Sequence, residues 1–143
     1  MPHVAGLHHV ALTVSDLDRA QEFWTQVLGL QVLMRTETFC ALMTGADRVQ
    51  ALFLTTHDGT GEGAFSEFTV GLDHVCLDVG SMEELTAWRR HLEQREVAHS
   101  YQRSEWGHHI NLRDPDNIAV ELFLLEPDQA SAEILAQADR TSS

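Results

Sequence analysis

The sequence predicts an α+β fold built from two copies of a βαβββ module. Three observations carry the prediction: a repeated strand motif, a helix signal behind each copy, and three short strand signals behind each helix. Residues 6–14 read GLHHVALTV and residues 71–79 read GLDHVCLDV, identical at six of nine positions and offset by 65 residues. That period is nearly half the chain, too long for a solenoid and suited to a duplicated module. Successive strand side chains point to opposite faces, so Val10, Leu12 and Val14 share one face while His9, Ala11 and Thr13 share the other. In the second copy Val75, Leu77 and Val79 oppose His74, Cys76 and Asp78.

The first helix is expected to start near residues 15–18, to carry Leu17, Ala20, Phe23, Trp24, Val27 and Leu28 at helical spacing, and to end at Gly29. The second starts at Ser81, with Glu84 placed for a capping box and Leu85, Trp88 and Leu92 as its apolar stripe. Trp24 and Trp88 are read as core residues. Strands are expected near 31–35, 39–43 and 49–55 in the first module, and near 98–102, 108–112 and 118–124 in the second. The turn Asp114-Pro115-Asp116-Asn117 joins the last two, because proline presets a turn dihedral and asparagine tolerates the left-handed region. The modules span about residues 6–56 and 71–125, joined by a flexible connector at 57–70, all within one domain at 1–126; residues 127–143 form a tail with a short helix.

Composition bounds the function. The 143 residues carry a formal net charge of −13, and every basic residue is arginine. An acidic surface repels phosphate backbones, so neither a nucleic-acid partner nor an anionic membrane is expected. With no lysine, Schiff-base chemistry and a lysine-dependent phosphate loop are excluded. Cys40 and Cys76 form neither a CxxC pair nor a disulfide framework. Cys76 reads as a small buried filler. The start lacks a signal-peptide pattern and no stretch approaches a membrane span, so a cytoplasmic protein is expected.

Of the nine histidines, His3, His91 and His99 read as solvated surface and His8 as structural, pointing opposite His9. His9 and His74 differ because they hold equivalent positions in the repeat. Glu121 lies inside the apolar run IAVELFLL, where a carboxylate is costly unless it reaches an edge or meets a partner. Two imidazoles and one carboxylate leave metal positions open, a pattern that suits non-haem iron and also catalytic zinc or manganese. A paired buried glutamate beside two strand histidines accounts for the residues equally well.

The segments GLHHVALTVSDLDRAQEFW, GLDHVCLDV and LRDPDNIAVELF resemble the vicinal-oxygen-chelate (glyoxalase/bleomycin resistance/extradiol dioxygenase) superfamily from about residue 6 to 126. The resemblance implies a glyoxalase-like fold, a curved mixed sheet around a metal-binding cleft, with His9, His74 and Glu121 as ligands of one divalent ion. Fe2+ is favoured, with Mn2+, Ni2+ or Zn2+ as alternatives. It implies a small substrate chelated through adjacent oxygens, and a homodimer. Relatives with glyoxalase or epimerase activity carry a fourth ligand, Glu or Gln, in the last strand of the first module, where this chain has Phe53. His57, sharing the parity of Phe53, falls nearer the mouth. Extradiol dioxygenases carry a tyrosine where this chain has Asn111, and fosfomycin transferases rely on basic residues around an anionic drug, whereas this chain has no lysine and is strongly acidic.

His109 and Asn111 share a strand face that the resemblance aims at the cleft, and they are the candidate catalytic residues; an imidazole suits proton transfer near neutrality. Phe53, Ala11, Thr13 and Phe123 are candidates for the substrate pocket. The expectation leans to an extradiol-type dioxygenase. The alternatives are a glyoxalase-like lyase or isomerase, and a metal-free drug- or metabolite-binding protein whose aromatic walls would be Phe53, Phe123 and Trp106.

Overall fold

The computed structural model describes residues 7–44, 50–60 and 63–141. Among these residues, eight strands and three α-helices follow one another as β1 (His9–Thr13), α1 (Leu17–Glu22), β2 (Gln31–Arg35), β3 (Phe39–Thr44), β4 (Gln50–Thr55), β5 (Val75–Asp78), α2 (Met82–Gln94), β6 (His99–Arg103), β7 (Gly107–Arg113), β8 (Ala119–Leu125) and α3 (Gln129–Thr141). The expected strands appear within a residue or two; residue 49 and His3 lie outside the described residues. The chain divides into two compact units, one of residues 1–65 with 114–117, the other of residues 66–113 with 118–143.

Each unit holds one four-stranded mixed sheet, and the two orders match: β1-β4-β3-β2 in the first, β5-β8-β7-β6 in the second. The first strand of each module lies parallel to the last, and the other pairings are antiparallel. Since β4 and β8 are interior strands, a polar side chain on them cannot escape to a sheet edge.

Alternation decides which face each residue takes. In the first unit Leu12, Val14, Leu42, Leu52 and Leu54 are buried on one face, together with Leu17, Ala20 and Trp24 of the helical segment. In the second, Ile110, Leu112, Val120 and Leu122 are buried, and α2 adds Leu85 and Leu92. Each such leucine removed from water contributes on the order of 2 kcal/mol. His9, Ala11 and Thr13 take the opposite, exposed face of β1, and Cys76 and Asp78 that of β5.

Several expectations need correction. The first helix is not one α-helix. After Glu22 it widens to a π-helical turn, Phe23–Val27, closed by Leu28 N–H donating to the Phe23 carbonyl at 3.3 Å. The wider turn leaves Trp24 fully buried with its indole N–H 3.4 Å from Asp114 Oδ2. Gly29 ends the segment at φ +72°, the left-handed conformation that favours glycine there. Trp88 is only half-buried, its ring edge-on to His91 at 5.5 Å, because the tight stripe of α2 runs through Leu85 and Leu92 instead. His91 and His99 are half-buried rather than solvated, His99 Nδ1 standing 2.8 Å from the Val97 carbonyl.

Ser81 caps α2 as expected, accepting from Glu84 N–H at 3.2 Å, but Glu84 reaches back to Gly80 N–H rather than to Ser81. The connector is anchored where it is described: Phe65 N–H donates to the Asp116 carbonyl at 2.8 Å, and Glu67 forms a two-pronged pair with Arg113 at 2.5 and 3.1 Å. Arg113, through that hydrogen bond first, lowers the Glu67 carboxyl to about 2. Asn117 takes φ +67°, as the turn requires. The tail forms α3, with Ser131 N–H donating to Asp128 Oδ1 at 2.9 Å.

Candidate metal centre

The second module gathers its polar side chains on the sheet face away from α2. Parallel pairing of β5 with β8 sets Cys76 opposite Glu121, and antiparallel pairing of β7 with β8 sets Asn111 opposite Glu121 and His109 opposite Phe123. His74 stands one residue before β5 and keeps the parity of Cys76. One donor atom from each of His74, Cys76 and Glu121 falls within 4.8 Å of the others. Ligands at about 2.0–2.3 Å from one ion stand no farther apart than about 4.6 Å, so a closing movement of a few tenths of an ångström would bring this group onto a single ion. Imidazole, thiol and carboxylate are all donors for a divalent first-row metal, so the residues present fit such an ion.

Each donor is held by a neighbour. Asp73 Oδ1 lies 2.5 Å from His74 Nδ1, which fixes the proton on Nδ1 and leaves Nε2 as the basic nitrogen. Glu121 uses both oxygens: Oε1 accepts from Cys76 Sγ at 3.4 Å, and Oε2 accepts from His109 Nδ1 at 3.0 Å. In the neutral ring, His109 Nε2 accepts from the Ser104 hydroxyl at 2.7 Å, and Ser104 Oγ in turn accepts from Trp106 N–H at 3.2 Å. The side chains of His109 and Glu121 are each 15% exposed, enough burial to strengthen their hydrogen bond relative to water. Cys76 was expected to be a buried filler; it is exposed instead, because its strand face carries no helix. Local desolvation, then the Glu121 charge, the hydrogen bond to Glu121 and the charge of Asp78 push its thiol up to about 12.

The first module repeats this scaffold with different chemistry. His9 pairs with Ala51 and Ala11 with Phe53, so Ala11 occupies the register of Cys76 and Phe53 that of Glu121. Where the second module has an acid between two imidazoles, the first has an aromatic cluster. His9 stacks on Phe53 at 4.2 Å and Phe39 meets Phe53 edge-on at 5.0 Å. His9 is exposed, with Nδ1 2.9 Å from His8 Nδ1. His8 therefore reaches back to His9 rather than pointing away from it, since it precedes β1 and is not bound by strand alternation.

Of the residues singled out from sequence, His74, Glu121, His109 and Asn111 come together on one face of the second unit, with Phe123 against the His109 ring at 4.8 Å. His9, Ala11, Thr13 and Phe53 share one face of the first unit. Trp106 is half-buried at the β6–β7 turn. Cys76 and Asp73 were missed as parts of the site. Parity with His74 was the available signal for Cys76, and the adjacent carboxylate that for Asp73.

A second polar chain lies on the helix-facing side. Buried His108 joins Tyr101 Oη at 2.7 Å through Nδ1 and Glu126 Oε2 at 2.6 Å through Nε2, while Arg89 lies 4.7 Å from the Tyr101 ring centre. These contacts satisfy a buried imidazole and have no part in the metal centre.

The family model of the Glyoxalase/Bleomycin resistance protein/Dioxygenase superfamily matches residues 6–122. Among solved structures, the chain is similar to a glyoxylase/bleomycin resistance protein/dioxygenase domain from Frankia sp. EAN1pec, with 32% identity, a TM-score of 0.76, and coverage of 87% of this chain and 94% of that one. It shares the fold of a lactoylglutathione lyase from Agrobacterium tumefaciens, with 22% identity, a TM-score of 0.67, and coverage of 85% and 94%. It also shares the fold of an antibiotic-binding protein from Streptomyces sp. CB03234, with 17% identity, a TM-score of 0.68, and coverage of 88% and 100%. No curated protein matches.

Proposed function

The chain belongs to the glyoxalase/bleomycin resistance protein/dioxygenase superfamily, and from that premise we propose that it is a divalent-metal enzyme acting on a small substrate that chelates through two adjacent oxygens. The observation that carries the reading is the convergence of His74 and Glu121 donors on one face of the β5–β8 pair, each held in place by a second side chain. Glu121 is already hydrogen-bonded by Cys76 and His109, and imidazole, thiol and carboxylate together form a donor set that suits a divalent cation. His9 is proposed as the third ligand on the motif match alone.

A bound divalent ion supplies Lewis-acid activation of the chelated substrate, with Fe2+ the favoured ion. The chain's own residues do the rest. Asp73 holds the His74 ring, His109 holds Oε2 of Glu121, and Ser104 fixes the His109 ring. His109 would take or give a proton at a substrate atom by exchanging the Ser104 hydroxyl for it at Nε2, with Asn111 beside it to orient a polar group.

Among reactions, an extradiol-type oxygenation is favoured over a glyoxalase-type isomerisation, because Phe53 holds the register at which a fourth ligand, Glu or Gln, would stand. The test is oxygen consumption on catechol-type substrates after anaerobic loading with Fe2+. Uptake that disappears in Glu121→Ala supports the reading. Turnover of a glyoxalase-type substrate without oxygen uptake would replace it with the lyase.

One feature favours a second reading, metal-free sequestration of an aromatic drug or metabolite: the stacked face of His9, Phe53 and Phe39 offers a wall for planar ligands. Metal stoichiometry separates the two.

A further inference from the structure

The metal reading concerns two histidines and a glutamate, whereas the donors that fall within 4.8 Å of one another among the described residues of the second unit include a sulfur. We propose that Cys76 is itself a ligand of the ion held by His74 and Glu121, and that its thiolate biases this centre toward thiophilic borderline ions such as Zn2+ and Co2+ over Mn2+. The inference rests on the metal reading and adds to it a residue and a selectivity.

Three observations carry it. Donor atoms of His74, Cys76 and Glu121 lie within 4.8 Å of one another, so an ion near His74 and Glu121 also lies near the sulfur. The arrangement is built into the backbone: Cys76 is the register partner of Glu121 across the parallel β5–β8 pair, and it follows His74 at the two-residue spacing that keeps both on one face. At the same register in the first module the pair is Ala11 and Phe53, which offers no donor at all. The duplicated scaffold thus carries a thiol and a carboxylate in one copy and two apolar residues in the other.

The thiol stands as a donor to Glu121 Oε1 at 3.4 Å, a contact that already aims its sulfur at the carboxylate. A coordinating thiol is deprotonated outright by a divalent cation, and its proton leaves to solvent. The metal–sulfur bond takes the place of the S–H bond with no change of oxidation state. Cys40, the other cysteine, is fully buried on the helix-facing side of the first sheet and is no competitor.

Co2+ is the probe, because its thiolate complexes show an intense near-ultraviolet charge-transfer absorption alongside weaker visible bands. Reduced wild-type protein titrated with Co2+ should develop both. Cys76→Ser and Cys76→Ala should keep one-to-one Co2+ binding and the visible bands but lose the charge-transfer absorption. Their preference for Zn2+ over Mn2+, measured by competition, should fall at least tenfold. A charge-transfer band missing from cobalt-loaded wild type, or persisting in both variants, overturns the assignment of Cys76 and leaves the metal reading standing. Failure of wild type to bind Co2+ or Zn2+ at all overturns both.

Discussion

At the scale of single residues, the second module holds a chain of contacts running from Asp73 through His74, and from Cys76 through Glu121 and His109 to Ser104. Each link restricts the next: a carboxylate that spends one oxygen on an imidazole and the other on a thiol has little freedom to rotate. His109 is the link whose role is most open to measurement. His109→Gln is expected to keep the fold and the metal but to lower turnover by roughly 10²–10⁴-fold, the usual worth of a positioned acid or base. Steady-state kinetics of the metal-loaded variant checks this, and unchanged kcat would reduce His109 to a support for Glu121. His74 and Glu121 were legible in the sequence because one repeats a motif and the other breaks an apolar run. Cys76 was not recognised, because a cysteine on a strand reads as filler until the strand beside it is known. Register brings Cys76 to Glu121, and register is not written locally.

Among the elements, β7 depends on a single glycine. Gly107 has φ +150°, and a Cβ placed there would sit 2.0 Å from the Leu124 carbonyl oxygen. Gly107→Ala should therefore destabilise the protein by more than about 2 kcal/mol, through strain and a backbone clash together. Denaturant unfolding measures it, and a loss below about 0.5 kcal/mol would contradict the close approach. Because β7 also carries His109 and Asn111, the same variant should weaken the site.

Glu67 and Arg113 give the connector a pH-dependent tie. The Glu67 carboxyl is lowered in the folded state from 4.5 to about 2, so its contribution is fully present above about 4.5 and is lost as pH falls toward 2. Glu67→Gln should lose less stability across that window than wild type, and equal acid limbs would contradict the pairing. Strand and helix positions were legible from alternation and caps. The π-helical turn was not, because residues 17–28 have a pattern that an α-helix satisfies equally. Its cause is long-range, since burial of Trp24 with its indole near Asp114 depends on a turn 90 residues away in the chain. Trp88 misled for the opposite reason: helical spacing placed it on the stripe of α2, yet packing closes over Leu85 and Leu92 and leaves the indole at the margin.

For the molecule as a whole, duplication is the governing fact. One sheet order occurs twice, and the two copies diverge at the same register positions: Ala11 against Cys76, Phe53 against Glu121, and Phe39 against His109. The repeat made the fold readable from the sequence, and the divergence sets thiol, carboxylate and imidazole side chains in the second copy where the first has alanine and two phenylalanines. Among the described residues, no helix is long and apolar enough to cross a membrane.

Edge strand β2 exposes Val32, Leu33 and Met34, an apolar strip that unpaired edges usually avoid. With the homodimer that family resemblance implies, light scattering should report twice the 16.0 kDa of one chain, and a 16.0 kDa particle at working concentration would contradict it.

The claim on which the rest depends is that this chain holds a divalent metal through His74 and Glu121. Elemental mass spectrometry of untagged protein, purified without chelators, tests it most directly. We expect about one first-row metal ion per chain in wild type, and its loss in folded His74→Ala and Glu121→Ala. Wild type without metal that takes up none of Fe2+, Mn2+, Ni2+ or Zn2+, or unchanged stoichiometry in both variants, would contradict the account.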